Sequence, residues 1–181
     1  MSKTVWLLGT RHDFHGLAPA WIPTHVREFV NRCAEIVSEF GLTAVGEEAS
    51  QESIGAFAKD AFGGSSALGQ WCDSRGLHYL AFDLTDEECI RLGIPDSLSS
   101  KRAENEGDMD LAQRLSAERF NEREVEWIRR LSLLDSPSLL VLGAWHVASM
   151  QEKLAADGWD VSVVDDNWTP SDALSNDIGN G

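Results

Sequence analysis

The chain has 181 residues, 43% of them hydrophobic, which is enough for one well-buried domain and too few for two. Its formal net charge of −15 disfavours nucleic acids and anionic membranes as partners, because affinity for both depends on clustered cations. Apolar runs stay far below the roughly 18 residues of a membrane helix, and the three cysteines form no CxxC pair. We therefore predict a cytoplasmic protein with reduced thiols.

The first part of the chain alternates short apolar runs with helical patterns, as βαβ units do. Residues 3–10, "KTVWLLGT", form a continuous apolar run that predicts a strand buried on both faces. Apolar residues then recur at helical spacing over residues 22–41, with Gly41 as the C-cap. A second strand is predicted immediately afterwards, in residues 42–49, "LTAVGEEA".

The middle of the chain contains more Gly, Pro and Ser. Residues 50–76 are predicted to be helical with a break at Gly63 and Gly64, and residues 77–84, "LHYLAFDL", to form the third strand. Residues 92–108 are polar and lack both the helical and the strand period. We interpret this segment as a loop and a candidate mobile lid.

The last third returns to regular patterns. Residues 109–134 predict a long amphipathic helix or a pair of helices. A buried strand follows in residues 136–145, a short helix in residues 147–158 and a final strand in residues 159–168. Residues 169–181 are expected to form a flexible acidic tail.

These elements predict one α/β domain over residues 1–168: a doubly wound, mostly parallel sheet of about five strands with helices on both faces. Right-handed crossovers from the first strand to the second and third, followed by a return to the fourth and fifth, predict the order 3-2-1-4-5. In that order the first and fourth strands are neighbours. A ligand crevice is then expected between their carboxyl ends, at the topological switch point.

A GxxH motif follows each of these two strands: "GTRH" ends at His12 and "GAWH" ends at His146. In each motif the glycine allows the chain to turn sharply off the strand and to approach a pocket without a Cβ in the way. One GxxH occurs by chance in many proteins, where its histidine is structural. Two at the ends of neighbouring strands predict a single pocket with one histidine on each wall.

Carboxylates gather at the same predicted edge. Glu47 and Glu48 end the second strand, Asp83 the third, and Asp165 and Asp166 the fifth. Acids in these positions also cap helices, so their presence alone does not define a site. Beside two imidazoles, however, they could bind a divalent metal such as manganese or zinc, or act as a base and its orienting partner.

If a metal is bound, the predicted ligands are His12, His146 and Glu48; without it, a His/Glu pair would have to deprotonate water directly. Arg11, inside the first motif, and Arg123, on the long helix, are candidate groups for binding or stabilising negative charge. The neighbouring Arg129 and Arg130 are assigned to ion pairs along the helix. Further candidates for substrate contact are His15, which follows the first motif, Asp83 at the end of the third strand, and Trp145 in the second motif.

In motif order the chain resembles the superfamily that joins TraB/PrgY proteins, TIKI metalloproteases, erythromycin esterases and ChaN-like proteins. The resemblance rests on "GTRH", a Glu at the end of the second strand, an Arg-Glu pair in "NEREVEW" and "GAWH", and it spans most of the chain. "CIRLGIPD" and "VLGAWHVASMQEKL" are similar to small uncharacterised bacterial members. The resemblance implies a hydrolase-like α/β domain whose active site is lined by His12, His146, Glu48 or Glu47, and Arg123.

The superfamily includes three functional classes of protein: metal-dependent peptidases (TIKI), metal-independent His/Glu hydrolases (erythromycin esterases) and haem binders (ChaN-like). "GTRH" is closer to the TraB and TIKI form than to the esterase form, which has an early Glu, and the chain is too short for the esterases' extra helical subdomain.

Three hypotheses follow from the sequence. The first is a hydrolase that activates water at the paired GxxH motifs, with or without a divalent metal, on a small-molecule or peptide substrate. The second is a non-catalytic protein that binds or senses a small ligand, with haem among the candidates. The third is a partner-binding protein whose motif histidines are structural. Exposed sheet edges would also allow a homodimer.

Overall fold

The computed structural model describes residues 3–17, 21–58, 60–96 and 98–171, and it confirms the predicted α/β class. Five parallel strands form a single sheet. The strands are β1 Thr4–Thr10, β2 Ala44–Glu47, β3 His78–Ala81, β4 Ser138–Gly143 and β5 Asp160–Asp165.

Seven α-helices connect the strands within the described residues. They are α1 Pro23–Phe40, α2 Gln51–Ser53, α3 Ala67–Arg75, α4 Asp86–Leu92, α5 Ser99–Asn105, α6 Met109–Leu131 and α7 Val147–Ala156. A π-helix, Ile54–Ala58, continues α2, and a 3₁₀ turn, Ala144–His146, joins β4 to α7. None of these helices is long and apolar enough to cross a membrane.

The predicted strand order is wrong, because the sheet runs β3-β2-β4-β1-β5 and β4 therefore lies between β2 and β1. The sequence could not resolve this exchange, since β1 and β4 are both apolar runs suited to the sheet interior and either can occupy the centre. β5 is more exposed along its length and takes the edge in both orders. The exchange keeps β1 and β4 adjacent, so the predicted meeting of their carboxyl ends is preserved.

Two apolar layers bury the two faces of the sheet. On one face Leu140 and Leu142 of β4 pack in a cluster with side chains of α4, α6 and α7; on the other, Leu139 and Val141 pack with α1 and α3. This alternation along β4 is the two-residue period of a strand covered on both sides. The three cysteines lie inside these layers as free thiols: Cys33, Cys72 and Cys89.

The interpretation of residues 92–108 as a loop or mobile lid is wrong for its central part, which forms α5, Ser99–Asn105. Ala103 is its only fully buried residue, and α5 packs along α6. A seven-residue helix that buries one side chain has no recognisable apolar period, which is why the pattern was missed. The predicted acidic tail falls largely on residues 172–181, outside the described residues.

Gly9, in the first GxxH motif, is required by close packing of the backbone. A Cβ at Gly9 would lie 2.1 Å from the backbone oxygen of Asp166 and 2.5 Å from Val147 Cγ2. We therefore expect Gly9→Ala to lower the free energy of unfolding by about 2–3 kcal/mol, because the β1 and β5 backbones must separate. Gly55→Ala is the control, since nothing lies within 4 Å of a Cβ there. Equal urea midpoints for the two variants would contradict this packing argument.

Candidate active site

A cleft of about 1400 Å³ opens at the carboxyl edge of the sheet, where β1, β2 and β4 end. The register places the two GxxH motifs side by side with an offset of one residue, since Gly9 lies opposite Leu142 and Thr10 opposite Gly143. Both motifs therefore turn into the cleft at nearly the same level. The predicted site residues that line it are Arg11, His12, Glu48, Asp83, Arg123, Trp145 and His146.

The glycine of the second motif allows the backbone to approach a carboxylate. The Gly143 N–H donates to Glu48 Oε2 at 2.7 Å. A Cβ on Gly143 would lie 3.2 Å from His12 Nε2 and 3.3 Å from Glu48 Oε2, closer than most such contacts in proteins. The absence of a side chain at this position thus brings β4, Glu48 and His12 together.

Glu48 is the centre of the site. Its Oε1 lies 3.5 Å from His12 Nε2, 3.6 Å from His146 Nε2 and 3.4 Å from Arg123 Nη2, while the side chain is only 2% exposed. Burial opposes ionisation, but the hydrogen bond from His12 and the charges of His12, His146 and Arg123 lower the pKa of Glu48 to about 2. Glu48 is therefore an anion throughout the physiological pH range.

His12 is the accessible imidazole of the site, with a side chain that is 44% exposed. It lies in a tight turn after β1, in which the His12 carbonyl accepts from the N–H groups of His15 and Leu17, each at 3.2 Å. Desolvation favours the neutral ring, yet the hydrogen bond to Glu48 and its negative charge outweigh it and raise the pKa of His12. The ring is thus held against an anion while one face stays open to the cleft.

His146 is the buried imidazole, and Glu124 of α6 orients it. His146 Nδ1 lies 2.6 Å from Glu124 Oε1, and Phe120 stacks on the ring at 4.4 Å between centroids. Glu124 Oε2 accepts from Ser149 Oγ and Lys153 Nζ, both at 2.6 Å. Burial opposes the charge on Glu124, but these hydrogen bonds, beginning with that from His146, lower its pKa.

Sequence reasoning named no role for Glu124 as a site residue. The buried Trp127 and Leu131 lie at helical spacing from it on α6, and this spacing places Glu124 on the stripe that faces the sheet. A carboxylate among apolar residues of a buried stripe needs a partner, and that signal could have found it.

Arg123 contacts carboxylates on the inner wall. Its Nη2 lies 2.8 Å from each oxygen of Asp83, and Trp127 Nε1 donates to Asp83 Oδ1 at 3.0 Å. Burial disfavours the charged guanidinium, but the charges of Asp83 and Glu48 raise the pKa of Arg123. Arg123 thus compensates the charge of Glu48 before any substrate enters.

The cleft mouth carries two predicted contact residues. Arg11 is largely exposed and pairs with Asp13 at 2.9 Å, and Trp145 is 89% exposed. Arg129 pairs with Glu126 on the α6 surface, as expected. Arg130 also pairs with Glu126, at 3.3 Å, and in addition its Nη1 donates to the backbone oxygen of Asp83 at 2.9 Å.

Two candidates, Glu47 and His15, lie off the cleft. Both are fully buried, with Glu47 Oε1 3.3 Å from His15 Nδ1. Glu47 Oε2 accepts from Ser66 Oγ at 2.5 Å and from Tyr79 OH at 2.6 Å. The sequence left open which glutamate faces the pocket, and the structure places Glu48 there.

The donor set does not suit the divalent metal considered above. In the described ranges no group of three or more His, Cys, Asp or Glu side chains is placed to hold a metal ion. The oxygen that would have to join His12 and His146 around a metal is Glu48 Oε1, which already faces the Arg123 guanidinium. A second cation beside it would be repelled.

Comparison of the chain with protein-family models, with curated proteins and with solved structures finds no match.

Proposed function

We propose that the cleft hydrolyses an uncharged acyl compound, an ester or amide of a small molecule or peptide, without a metal. The observation that carries the proposal is the convergence of His12, His146 and Arg123 on one oxygen of the buried Glu48, with His12 the most exposed of the three. An anion that holds an accessible imidazole is the arrangement a general base requires.

His12 is the base in this proposal. With Nε2 on Glu48, its Nδ1 takes a proton from water, and the resulting hydroxide adds to the acyl carbon. The imidazolium, stabilised by the Glu48 anion, then returns the proton to the leaving oxygen or nitrogen as the tetrahedral intermediate breaks down. General base catalysis of this kind contributes about 10²- to 10⁴-fold.

His146 and Arg123 have supporting roles. Because Glu124 is ionised, the Nδ1 hydrogen of His146 is donated to it, which fixes the ring orientation and directs Nε2 at Glu48. Arg123 keeps Glu48 ionised from the opposite side. In this proposal Arg123 balances the negative charge of Glu48 and does not bind the oxyanion of the reaction directly.

The charges of the cleft support an uncharged substrate. Arg123 is neutralised by Asp83 and Glu48, and Arg11 by Asp13, while Asp166 adds a further carboxylate to the lining. A phosphate or carboxylate substrate would meet these anions at close range. Apolar lining by Leu17, Val147 and the exposed Trp145 favours a substrate with an apolar portion.

We also propose that the chain is a member of the TraB/TIKI/erythromycin esterase/ChaN-like superfamily and acts in the cytoplasm. The position of "GTRH" and "GAWH" at the ends of adjacent strands supports the first proposal. Three buried free cysteines support the second.

The pH dependence of hydrolysis tests the function. The assay uses chelator-treated protein and a panel of uncharged p-nitrophenyl esters and aryl amides. Since only neutral His12 can accept a proton and its pKa is raised, kcat/KM is expected to rise with pH through an apparent pKa above the ordinary 6.5 of histidine. No turnover of any probe, or turnover that decreases through this range, would contradict the assignment.

Glu124→Gln tests the orienting role of Glu124. The amide carries no charge, so His146 loses the anion that holds its Nδ1–H and its ring orientation, and Lys153 loses its anionic partner. We expect kcat to fall by about 10²-fold or more while KM changes little. Glu118→Gln, at an exposed position of α6, is the matched control and should retain full activity. Equal activity of the two variants would show that Glu124 has no orienting role in catalysis.

A further inference from the structure

The two consecutive glutamates at the end of β2 each meet a histidine of the same turn. Glu48 faces His12 at 3.5 Å in the cleft, and Glu47 faces His15 at 3.3 Å in the core. The second pair is fully buried, and neither of its residues lines the cleft. The chain therefore holds a second Glu–His pair next to the first, buried in the core below the cleft.

Glu47 is fixed from the side opposite His15. Ser66 Oγ and Tyr79 OH both donate to Oε2, so Oε1 is directed at the imidazole. Burial and the charge of Glu47 hold the pKa of Tyr79 well above its usual range, so the phenol keeps the proton it donates. The His15 ring stacks on Phe29 of α1 at 4.4 Å with an interplanar angle of 5°.

Three polar atoms of the buried pair have no hydrogen-bond partner outside the pair among the described residues. Apart from their mutual contact, neither nitrogen of His15 nor Glu47 Oε1 has a hydrogen-bond partner in the part of the chain that the structure describes. Polar atoms buried in this way destabilise a core compared with apolar side chains of similar size. Their presence beside the site therefore calls for a role beyond packing.

The backbone links this pair to His12. The His15 N–H donates to the His12 carbonyl at 3.2 Å, and the two rings lie 5.6 Å apart between centroids. A displacement of His15 would therefore shift the turn that carries His12. We propose that Glu47 and His15 are positioning residues: their buried contact fixes the turn on β2 so that the His12 ring stays against Glu48.

The catalytic consequence of this inference rests on the proposed function, but the position of His12 can be measured without a substrate. The test titrates the His12 ring by NMR in wild type, Glu47→Gln and Glu47→Met. Gln can accept from Ser66 and Tyr79 and donate to His15, whereas Met fills the same space without polar contacts. The charged and titratable groups that face His12 are the same in the two variants: Glu48, Asp83, Arg123, His15 and His146.

With the turn fixed by the pair, the His12 titration midpoint stays raised in Glu47→Gln and falls toward the ordinary 6.5 in Glu47→Met. In an ester assay kcat should fall in the Met variant with little change in KM. A merely structural role would lower the melting temperature and leave the His12 midpoint unchanged in both variants, which would overturn the proposal. So would a midpoint that falls equally in both.

If Glu47→Met does not fold, His15→Phe replaces it, because phenylalanine keeps the stack on Phe29 and removes both nitrogens. The His12 midpoint should fall there too, and a wild-type midpoint would refute the inference. Since the titration needs no turnover, a protein that hydrolyses none of the probes but shows the Gln/Met difference would contradict the proposed function alone.

Discussion

Replacing His12 by alanine is expected to lower kcat/KM for the ester probes by about 10²- to 10⁴-fold while leaving the fold intact. The rate falls because the only accessible imidazole in contact with Glu48 is lost. The fold is retained because the His12 side chain is 44% exposed and its truncation leaves little cavity. Initial rates and thermal melts of the same preparation measure both effects.

His78→Ala is the matched control for this variant. The His78 side chain is 40% exposed and lies 2.8 Å from a carboxylate, Asp135, outside the cleft. It should retain wild-type activity. Turnover in His12→Ala equal to that of the control would exclude His12 as the base.

Glu48→Gln is expected to have the largest effect on stability and on its pH dependence. The pKa of Glu48 is lowered from 4.5 to about 2 in the folded protein. A lowered pKa means that the ionised carboxylate stabilises the fold above pH 4.5, and that this contribution is lost as the pH falls toward 2. A shift of this size corresponds to about 3 kcal/mol.

The free energy of unfolding of wild type should therefore fall by about 3 kcal/mol more than that of Glu48→Gln between pH 5 and pH 2. At pH 7 the variant should be the less stable protein, because Arg123 and the two imidazoles lose a buried counter-charge. Urea titrations across this range measure the difference. Glu39→Gln, at an exposed position of α1, should follow the wild-type curve. Parallel curves for wild type and Glu48→Gln would show that Glu48 has no such role.

The sequence could predict the parts of the site that depend on neighbouring strands. β1 and β4 are recognisable as buried runs, and Gly9 and Gly143 mark where each leaves the sheet, so the meeting of His12 and His146 followed from topology alone. The error in the strand order did not affect this prediction, because both orders make β1 and β4 neighbours.

The remaining features depend on packing that a linear pattern does not contain. Glu47 and Glu48 are adjacent in sequence and covered on both sides, so no polarity difference indicated which one faces the cleft. The assignment follows from Ser66 and Tyr79, which hold Glu47 in the core. The role of Glu124 likewise depends on α6 lying against the start of α7.

The most direct test of the account is the rate of ester hydrolysis by wild type and by His12→Ala, each measured before and after exhaustive chelation. The account predicts a wild-type rate that chelation does not change and that added manganese or zinc does not raise, together with loss of that rate in the variant. Activity that chelation abolishes and a metal restores, or that persists in His12→Ala, would contradict a metal-free site built on His12 and Glu48.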